Sequence, residues 1–534
     1  MQGDETKRLD TKAWPAGYRA RESGRMAQQE EHAGAEASRR DWIGLAVIAI
    51  PCLIYSMDLT VLYLAVPHIT ADLKPSAAGL LWIVDIYGFM VAGALVTMGT
   101  LGDRVGRRKV LLIGAAAFGA TSVLAAYSTS AEMLIFARAL QGLAGAALAP
   151  STLSLIRNMF LDPEERAFAI GVWVASFSAG AAIGPLFGGL ILEHFWWGAV
   201  FLINVPVMLM LLILGPLLLP EFRDPDAGRM DILSAAQSVV TVLAVIYGIK
   251  RIAEDGLALP PVLSIVFGLI VGVVFFRRER RLADPLIDVR LFATPAFSAA
   301  LATNVLGLFM VLGSFLFITQ YLQLVLGMGP LEAGLWTAPS GIVFALGSMA
   351  APVLVRNFAP ATVIATGLLL SALGFAMLTQ LSAVHSPWLL FVGMLAFCTG
   401  MAPIGAITTD LVMTAAPPER AGAASAVSET SFEFGGALGI AVLGSILTAV
   451  YRRAMESADL IGIPPDALER ATNTLGGAVE AARTLPAQDG ARLLTTAHDA
   501  FVYAFEVTSA VSAVCAVLAA IFAATLLRGA TRRG

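Results

Sequence analysis

The amino-acid sequence predicts an all-α integral membrane protein with fourteen transmembrane helices, arranged as six, then two, then six. Three observations predict it. Charged residues make up 14% of the 534 residues and hydrophobic ones 57%, whereas soluble domains carry about 25% charged residues. The mean hydropathy is accordingly high, at +0.77. Apolar stretches of about 20 residues, the length that crosses a bilayer as a helix, recur fourteen times. Lys and Arg gather in alternate connections between those stretches, as cytoplasmic connections require. Strands are excluded, because an open sheet edge in lipid leaves backbone groups unpaired and the apolar runs are too continuous for a barrel.

In chain order, residues 1–42 form a polar cytoplasmic tail without an apolar core, so they are not a signal peptide. Met26 is a candidate start. Residues 43–219 hold spans at 43–66, 80–102, 109–128, 132–157, 166–191 and 196–219. Residues 220–296 add two further spans, 231–250 and 260–276, and a basic linker over 277–290. Residues 297–527 hold spans at 297–326, 331–354, 361–383, 388–414, 421–450 and 499–527. Their last connection, 451–498, is external and long, and reads equally as a helical cap or as a solvated loop. A short cytoplasmic tail, 528–534, follows. With the N-terminus inside, cytoplasmic segments carry 26 of the 35 Lys and Arg, and external segments 8, among them Lys74, Lys250 and Arg251. Both termini are therefore expected in the cytoplasm. Only five of these residues are Lys, a bias associated with GC-rich bacterial genes, so the expected location is a bacterial cytoplasmic (inner) membrane. Cys52, Cys398 and Cys515 are far apart and without metal-ligand spacing, and read as small core residues.

Ionisable side chains in mid-membrane cost about 2.5–3.5 kcal/mol each on insertion scales, so they are functional candidates by default. Asp58 lies about 22 Å from the inner face, Asp85 about 8 Å and Arg138 about 9 Å from the outer one. In a core of about 30 Å the three share one depth, and the expectation is a single charge cluster facing one cavity. Arg138 favours ionised carboxylates and burial favours protonated ones, so a carboxylate balanced between them can load and release a proton. The competing reading is a structural Asp–Arg pair. Glu429 and Glu433, four residues apart, share one helix face near mid-membrane. Two close carboxylates repel when both are ionised, which favours holding a proton that a cation can displace. Tyr55 and Trp82 stand three residues before Asp58 and Asp85, on the same helix faces, and an aromatic face attracts organic cations. Trp173, Phe177, Phe309, Phe317, Trp336 and Phe432 read first as packing or interfacial residues. Asp410, Glu506, Glu193 and His194 read as interfacial.

The strongest local signal is Gly99-Thr100-Leu101-Gly102-Asp103-Arg104-Val105-Gly106-Arg107-Arg108-Lys109, in the loop after the second span. It resembles the signature loop of the major facilitator superfamily. Arg138-Ala139-Leu140-Gln141-Gly142 with Gly145 and Pro150 resembles the superfamily's helix-4 motif. Gly171, Gly180, Gly184-Pro185 and Gly188-Gly189 resemble the helix-5 motif of its antiporters. Met57 to Val61 with Ala65-Val66-Pro67, Leu81 to Tyr87, and Asn204-Val205-Pro206 are similar to the fourteen-helix drug:proton antiporter branch, of the QacA/SmvA-type multidrug efflux transporters. Between Gly334 and Val353 there is no acidic residue, and Ser428-Glu429 stands where some relatives carry two Glu, so the resemblance favours monovalent over divalent cations.

The resemblance implies a major facilitator fold of two six-helix bundles with a binding site at the midplane between them. It implies export of cationic or amphiphilic drugs in exchange for protons, driven by the proton motive force with no cofactor. Drugs, protons and membrane lipid are the expected partners, nucleic acid is not, and a monomer is expected to function. The proton-coupling set is Asp58, Asp85, Arg138, Glu429 and Glu433, and the substrate-binding set Asp58, Glu429, Glu433, Tyr55 and Trp82. Gly99, Asp103, Arg104, Gly106, Arg107 and Arg108 would act in conformational change rather than on substrate. Gly184 and Pro185 would let helix 5 bend or seal against a neighbour. The alternative is a dedicated exporter of one endogenous metabolite, antibiotic, siderophore or lipid precursor. An enzyme, an ATP-driven pump and a receptor are disfavoured. The sequence has no Walker loop, His/Cys cluster or nucleophile elbow, and no sizeable soluble domain.

Overall fold

Several of the helices start where the sequence supplies a side chain for their free backbone donors. Ser38 accepts from Asp41 N while Asp41 accepts from Ser38 N, which closes a capping box. Asp162 accepts from the backbone of Glu164 and Glu165, and Asp231 from that of Leu233 and Ser234. The computed structural model describes residues 37–223, 231–282, 285, 289–384, 386–415 and 421–527. The tails 1–36 and 528–534 lie outside the described residues. Among the described residues there is no strand, and fourteen helices are long and apolar enough to cross a membrane.

Spans 1–6 are Arg39–Leu73, Ala77–Val105, Arg107–Ala126, Ala131–Met159, Glu164–His194 and Ala199–Leu218. Spans 7 and 8 are Ile232–Ala253 and Leu259–Glu279. Spans 9–14 are Pro295–Val325, Pro330–Asn357, Pro360–Leu378, Pro387–Ala415, Val427–Glu456 and Ala487–Leu526. Several run beyond the apolar stretch that marks them. Span 14 begins 12 residues before the expected 499, and span 7 continues helically to Asp255. Lys250 is therefore a buried helical residue, 1% exposed, and not part of an external connection. The connection between spans 13 and 14 is helical, with Pro465–Asn473 and Leu475–Thr484 folded over the bundle. Tyr451 Oη donates to Ala471 O at 2.7 Å, and Gly476 packs on Thr70 of span 1. This segment is a helical cap rather than a solvated loop.

The two halves meet along several helix pairs, three of which show the packing directly. Span 2 lies on span 13, with Leu81 against Gly444 and Gly88 against Ala437. Span 5 lies on span 10, with Gly189 against Leu331 and Gly334 against the Pro185 carbonyl. Span 1 meets span 9 where Thr319 Oγ1 donates to Tyr63 O and Gln323 Nε2 to Leu64 O, both at 3.1 Å. The contacts of Leu81, Gly189 and Gly334 and the bonds of Thr319 and Gln323 lie toward the end of the bundle that carries the cap, and Gly88 meets Ala437 near mid-length of its helix. Spans 7 and 8 pack on each other through Gly248 and Gly268. Span 7 also covers the seam between the halves, where Ile246 joins Phe89, Ala437 and Ala441 in one buried cluster.

Candidate functional site

Between the halves lies a cavity whose empty space, including its mouth, is about 1210 Å³. Span 1 contributes Tyr55, Thr60 and Tyr63, span 5 Phe177 and Pro185, span 9 Phe315, span 10 Phe344 and span 13 Phe432 and Glu433. The wall is apolar and aromatic, and Glu433 is the one carboxylate among the described residues that line it. Tyr55 Oη donates to Glu433 Oε1 at 3.1 Å, a hydrogen bond that crosses from one half to the other. The Tyr55 ring is held by Phe177 at 5.8 Å and Tyr87 at 6.0 Å between centroids. Glu429, one turn along span 13 on the same face, is exposed rather than packed.

Close approach of backbones shapes the cavity. A Cβ on Gly180 would run into the Leu53 backbone, and one on Gly184 into Thr60 and Met57. Span 5 can thus lie flat on span 1 only with glycine at these points. Pro185 follows Gly184 and presents its carbonyl to Gly334 of span 10, so span 5 is held between the two halves.

The expected single cluster of Asp58, Asp85 and Arg138 is corrected by the structure, which separates it into two places, both outside the cavity wall. Arg138 Nη1 donates to Asp58 Oδ2 at 2.5 Å, and both side chains are buried. Asp58 Oδ1 also accepts from Asn204 Nδ2 at 2.8 Å and Gln141 Nε2 at 3.3 Å. Ser122 Oγ accepts from the same two amides, and the Arg138 guanidinium lies 4.5 Å from the Tyr87 ring centroid. Asp58 is thus saturated with donors inside the first half and is not a cavity residue. Asp85 instead forms a fully buried ion pair with Lys250 of span 7, at 2.7 Å. Trp82 is displaced with it, since the Lys250 ammonium sits 3.7 Å from its ring centroid and the indole does not line the cavity. Equal depth, read from helix length, fixes height in the membrane but not which way a side chain faces.

The loop after span 2 works within the first half. Arg107 pairs with Asp103 at 2.6 Å and donates to Pro150 O. Arg108 donates to the carbonyls of Pro216 and Leu219 at the end of span 6, and Arg108 N donates to Glu221 Oε1 at 3.0 Å. Gly106 has φ of 125°, and a Cβ there would lie 2.6 Å from Glu221 Oε1. Left-handed backbone and lack of space both call for glycine. Gly99 packs near Pro150. Arg104 is exposed at the end of span 2.

Of the interfacial candidates, Glu506 accepts from Ser382 N at 2.7 Å, and His194 Nδ1 bonds the Leu190 carbonyl. Sequence reasoning quoted Gln141 and Asn204 within motifs but gave them no role, and missed Ser122, Lys250 and Phe344 as participants. Lys250 stands beside Arg251 at the end of an apolar run, a position that reads as the edge of a span and so conceals a buried partner.

Residues 48–440 match the family described as Major Facilitator Superfamily. The chain is 42% identical over 481 residues to the multidrug efflux pump LfrA of Mycolicibacterium smegmatis, covering 90% of this chain and 95% of that one. It is 34% identical over 475 residues to the methyl viologen resistance protein SmvA of Salmonella typhimurium, covering 88% and 94%. Among solved structures, a bacterial homologue of the human lysosomal transporter Spinster, in an inward-facing and unoccupied conformation, superposes with a TM-score of 0.67 at 18% identity, covering 92% and 99%.

Proposed function

The chain belongs to the major facilitator superfamily, and on that premise we propose that it is a proton-coupled antiporter exporting cationic, lipophilic drugs, dyes and antiseptics. The work is done by alternating access in a bacterial cytoplasmic membrane, by a monomer driven by the proton motive force. Both termini are in the cytoplasm, as the Lys and Arg distribution favours. Relatives named as a multidrug efflux pump and as a methyl viologen resistance protein support drug export.

One observation carries the reading: among the described residues a single carboxylate, Glu433, stands in the wall of a large aromatic cavity between the halves. Desolvation favours a neutral carboxyl, whereas an organic cation beside it favours the ionised form. Guest and proton therefore compete for Glu433, and that competition is the exchange. Phe177, Phe344, Phe432 and Tyr55 offer ring faces to the guest's charge, each worth about 0.5–2 kcal/mol according to how dry the contact is. Tyr55 senses the state of Glu433, because its hydroxyl donates to the carboxylate across the seam. Release to the outside needs the cap end to part.

The test is drug accumulation in energised everted vesicles, where export runs into the lumen, using a panel of quaternary ammonium compounds, dyes and neutral lipophiles. Collapse of the proton gradient should stop efflux, and Glu433→Gln should abolish cation export while leaving the protein folded. Efflux that persists without the gradient would remove the antiport reading. A panel in which one compound alone is moved would favour the dedicated-exporter alternative.

A further inference from the structure

Spans 7 and 8 create a second concave site away from the central cavity. Its walls are Leu233 and Gln237 of span 7, Val274, Arg277 and Arg278 of span 8, and Arg281 and Leu282 just beyond, around an empty space of about 970 Å³ that includes its mouth. Arg278 is committed: its guanidinium bonds Asp231 at 2.9 Å, which ties the start of span 7 to the end of span 8. Arg277 and Arg281 are exposed and have no ion-pair partner among the described residues. The Gln237 side-chain oxygen is buried and has no hydrogen-bond donor. The adjoining surface is apolar, with Ile232, Val273 and Phe276 exposed at 65%, 51% and 50%. A water-facing protein would not leave these bare, so acyl chains cover them.

The geometry points to a binding site for the phosphodiester headgroup of an anionic phospholipid carrying free hydroxyls, of the phosphatidylglycerol type. Arg277 and Arg281 hold the phosphate, and the headgroup hydroxyls face the Gln237 wall of the pocket. Leu233, Val274 and Leu282 flank the glycerol backbone. The place is right for this occupant, because basic pockets between helices at the cytoplasmic boundary meet the anionic headgroups of that leaflet. The site gives spans 7 and 8 a task separate from the exchange chemistry: Asp231 and Arg278 form one end of span 7, and Lys250 near its other end pairs with Asp85 at the seam between the halves.

Native mass spectrometry of the full chain in detergent tests the site, with dioleoyl-phosphatidylglycerol, dioleoyl-phosphatidylcholine and inorganic phosphate as separate probes. Phosphatidylglycerol should bind in preference to phosphatidylcholine. Arg277→Gln with Arg281→Gln should weaken it by about 30-fold, and each single change by about 5-fold. Arg280→Gln removes a neighbouring charge outside the pocket and should leave binding near the parent level. The single variants keep the test open if the double variant does not purify as a monodisperse protein. Equal binding of the two lipids, full binding by the double or both single variants, or displacement of the lipid by millimolar inorganic phosphate would overturn the assignment.

Discussion

Replacing Asp58 by Asn separates a structural strut from a working carboxylate. Arg138 is 0% exposed, and its anionic partner is Asp58 at 2.5 Å. Its Nε and Nη2 atoms have no hydrogen-bond partner of their own. Removing the anion leaves a buried guanidinium without counter-charge, and breaking a buried pair in this way costs about 3–5 kcal/mol. Removing both charges is often close to neutral, because no uncompensated ion remains. Asp58→Asn and Arg138→Gln should therefore each destabilise by about 3–5 kcal/mol, and the double variant by about 2 kcal/mol or less. The coupling between the sites is then at least about 4 kcal/mol, well above the 0.5 kcal/mol or so expected of independent sites. The assay is unfolding in mixed micelles with increasing sodium dodecyl sulfate, read by tryptophan fluorescence, with efflux measured after reconstitution of the same variants into liposomes. A stable Asp58→Asn protein, within about 1 kcal/mol of the parent and yet without efflux, would refute the argument. Asp58 would then act in turnover rather than in holding the first half together.

The same reasoning extends to the seam. Lys250→Met strands Asp85 and should lower folded yield by size-exclusion chromatography, whereas Lys250→Met with Asp85→Asn should recover most of it; equal yields would mean that the pair at 2.7 Å contributes little. At the cap end, an added Cβ on Gly476 would lie 2.9 Å from Thr70 Cβ, a little short of the 3.8 Å or so of a relaxed disulfide. Thr70→Cys with Gly476→Cys should cross-link under oxidation and stop efflux, with recovery on reduction. Full efflux by the cross-linked protein would mean that the cap stays in place through the cycle.

Fourteen helices were legible because membrane spans are written in length and hydropathy, and both are one-dimensional. The close-packing glycines of span 5 were legible for a similar reason, since a glycine marks a near approach wherever the partner is. The pairing of charges was not. Asp85 and Asp58 share a depth, but depth leaves the azimuth free, and Asp85 turns toward a helix more than 160 residues away in sequence. Lys250 was hidden because the apolar run ends just at it, whereas the helix continues to Asp255. Glu433 and Tyr55 were each visible as candidates, yet the hydrogen bond between them joins residues 378 apart and depends on the docking of the halves. The cap is ambiguous in the sequence because its buried side is mostly alanine, with Ala467, Ala471, Ala478 and Ala481 inside, and small residues give a weak periodic signal.

If the chain exchanges protons as proposed, the carboxylate that takes part should be the one least satisfied by fixed partners. Asp58 has a guanidinium and two amide donors, and Asp85 has an ammonium beneath an indole. Protonating either one strands a buried cation, at a cost comparable to breaking the pair by mutation, about 3–5 kcal/mol. A proton motive force of about 100 mV supplies about 2.3 kcal/mol per charge moved across the membrane, which is too little to break such a pair at each turn. Glu433 carries one neutral donor, the Tyr55 hydroxyl, and faces empty space. On the proposed antiport, a proton held there can be exchanged for a cationic guest without stranding a partner, and among the described residues of the cavity wall Glu433 is the carboxylate for which that holds.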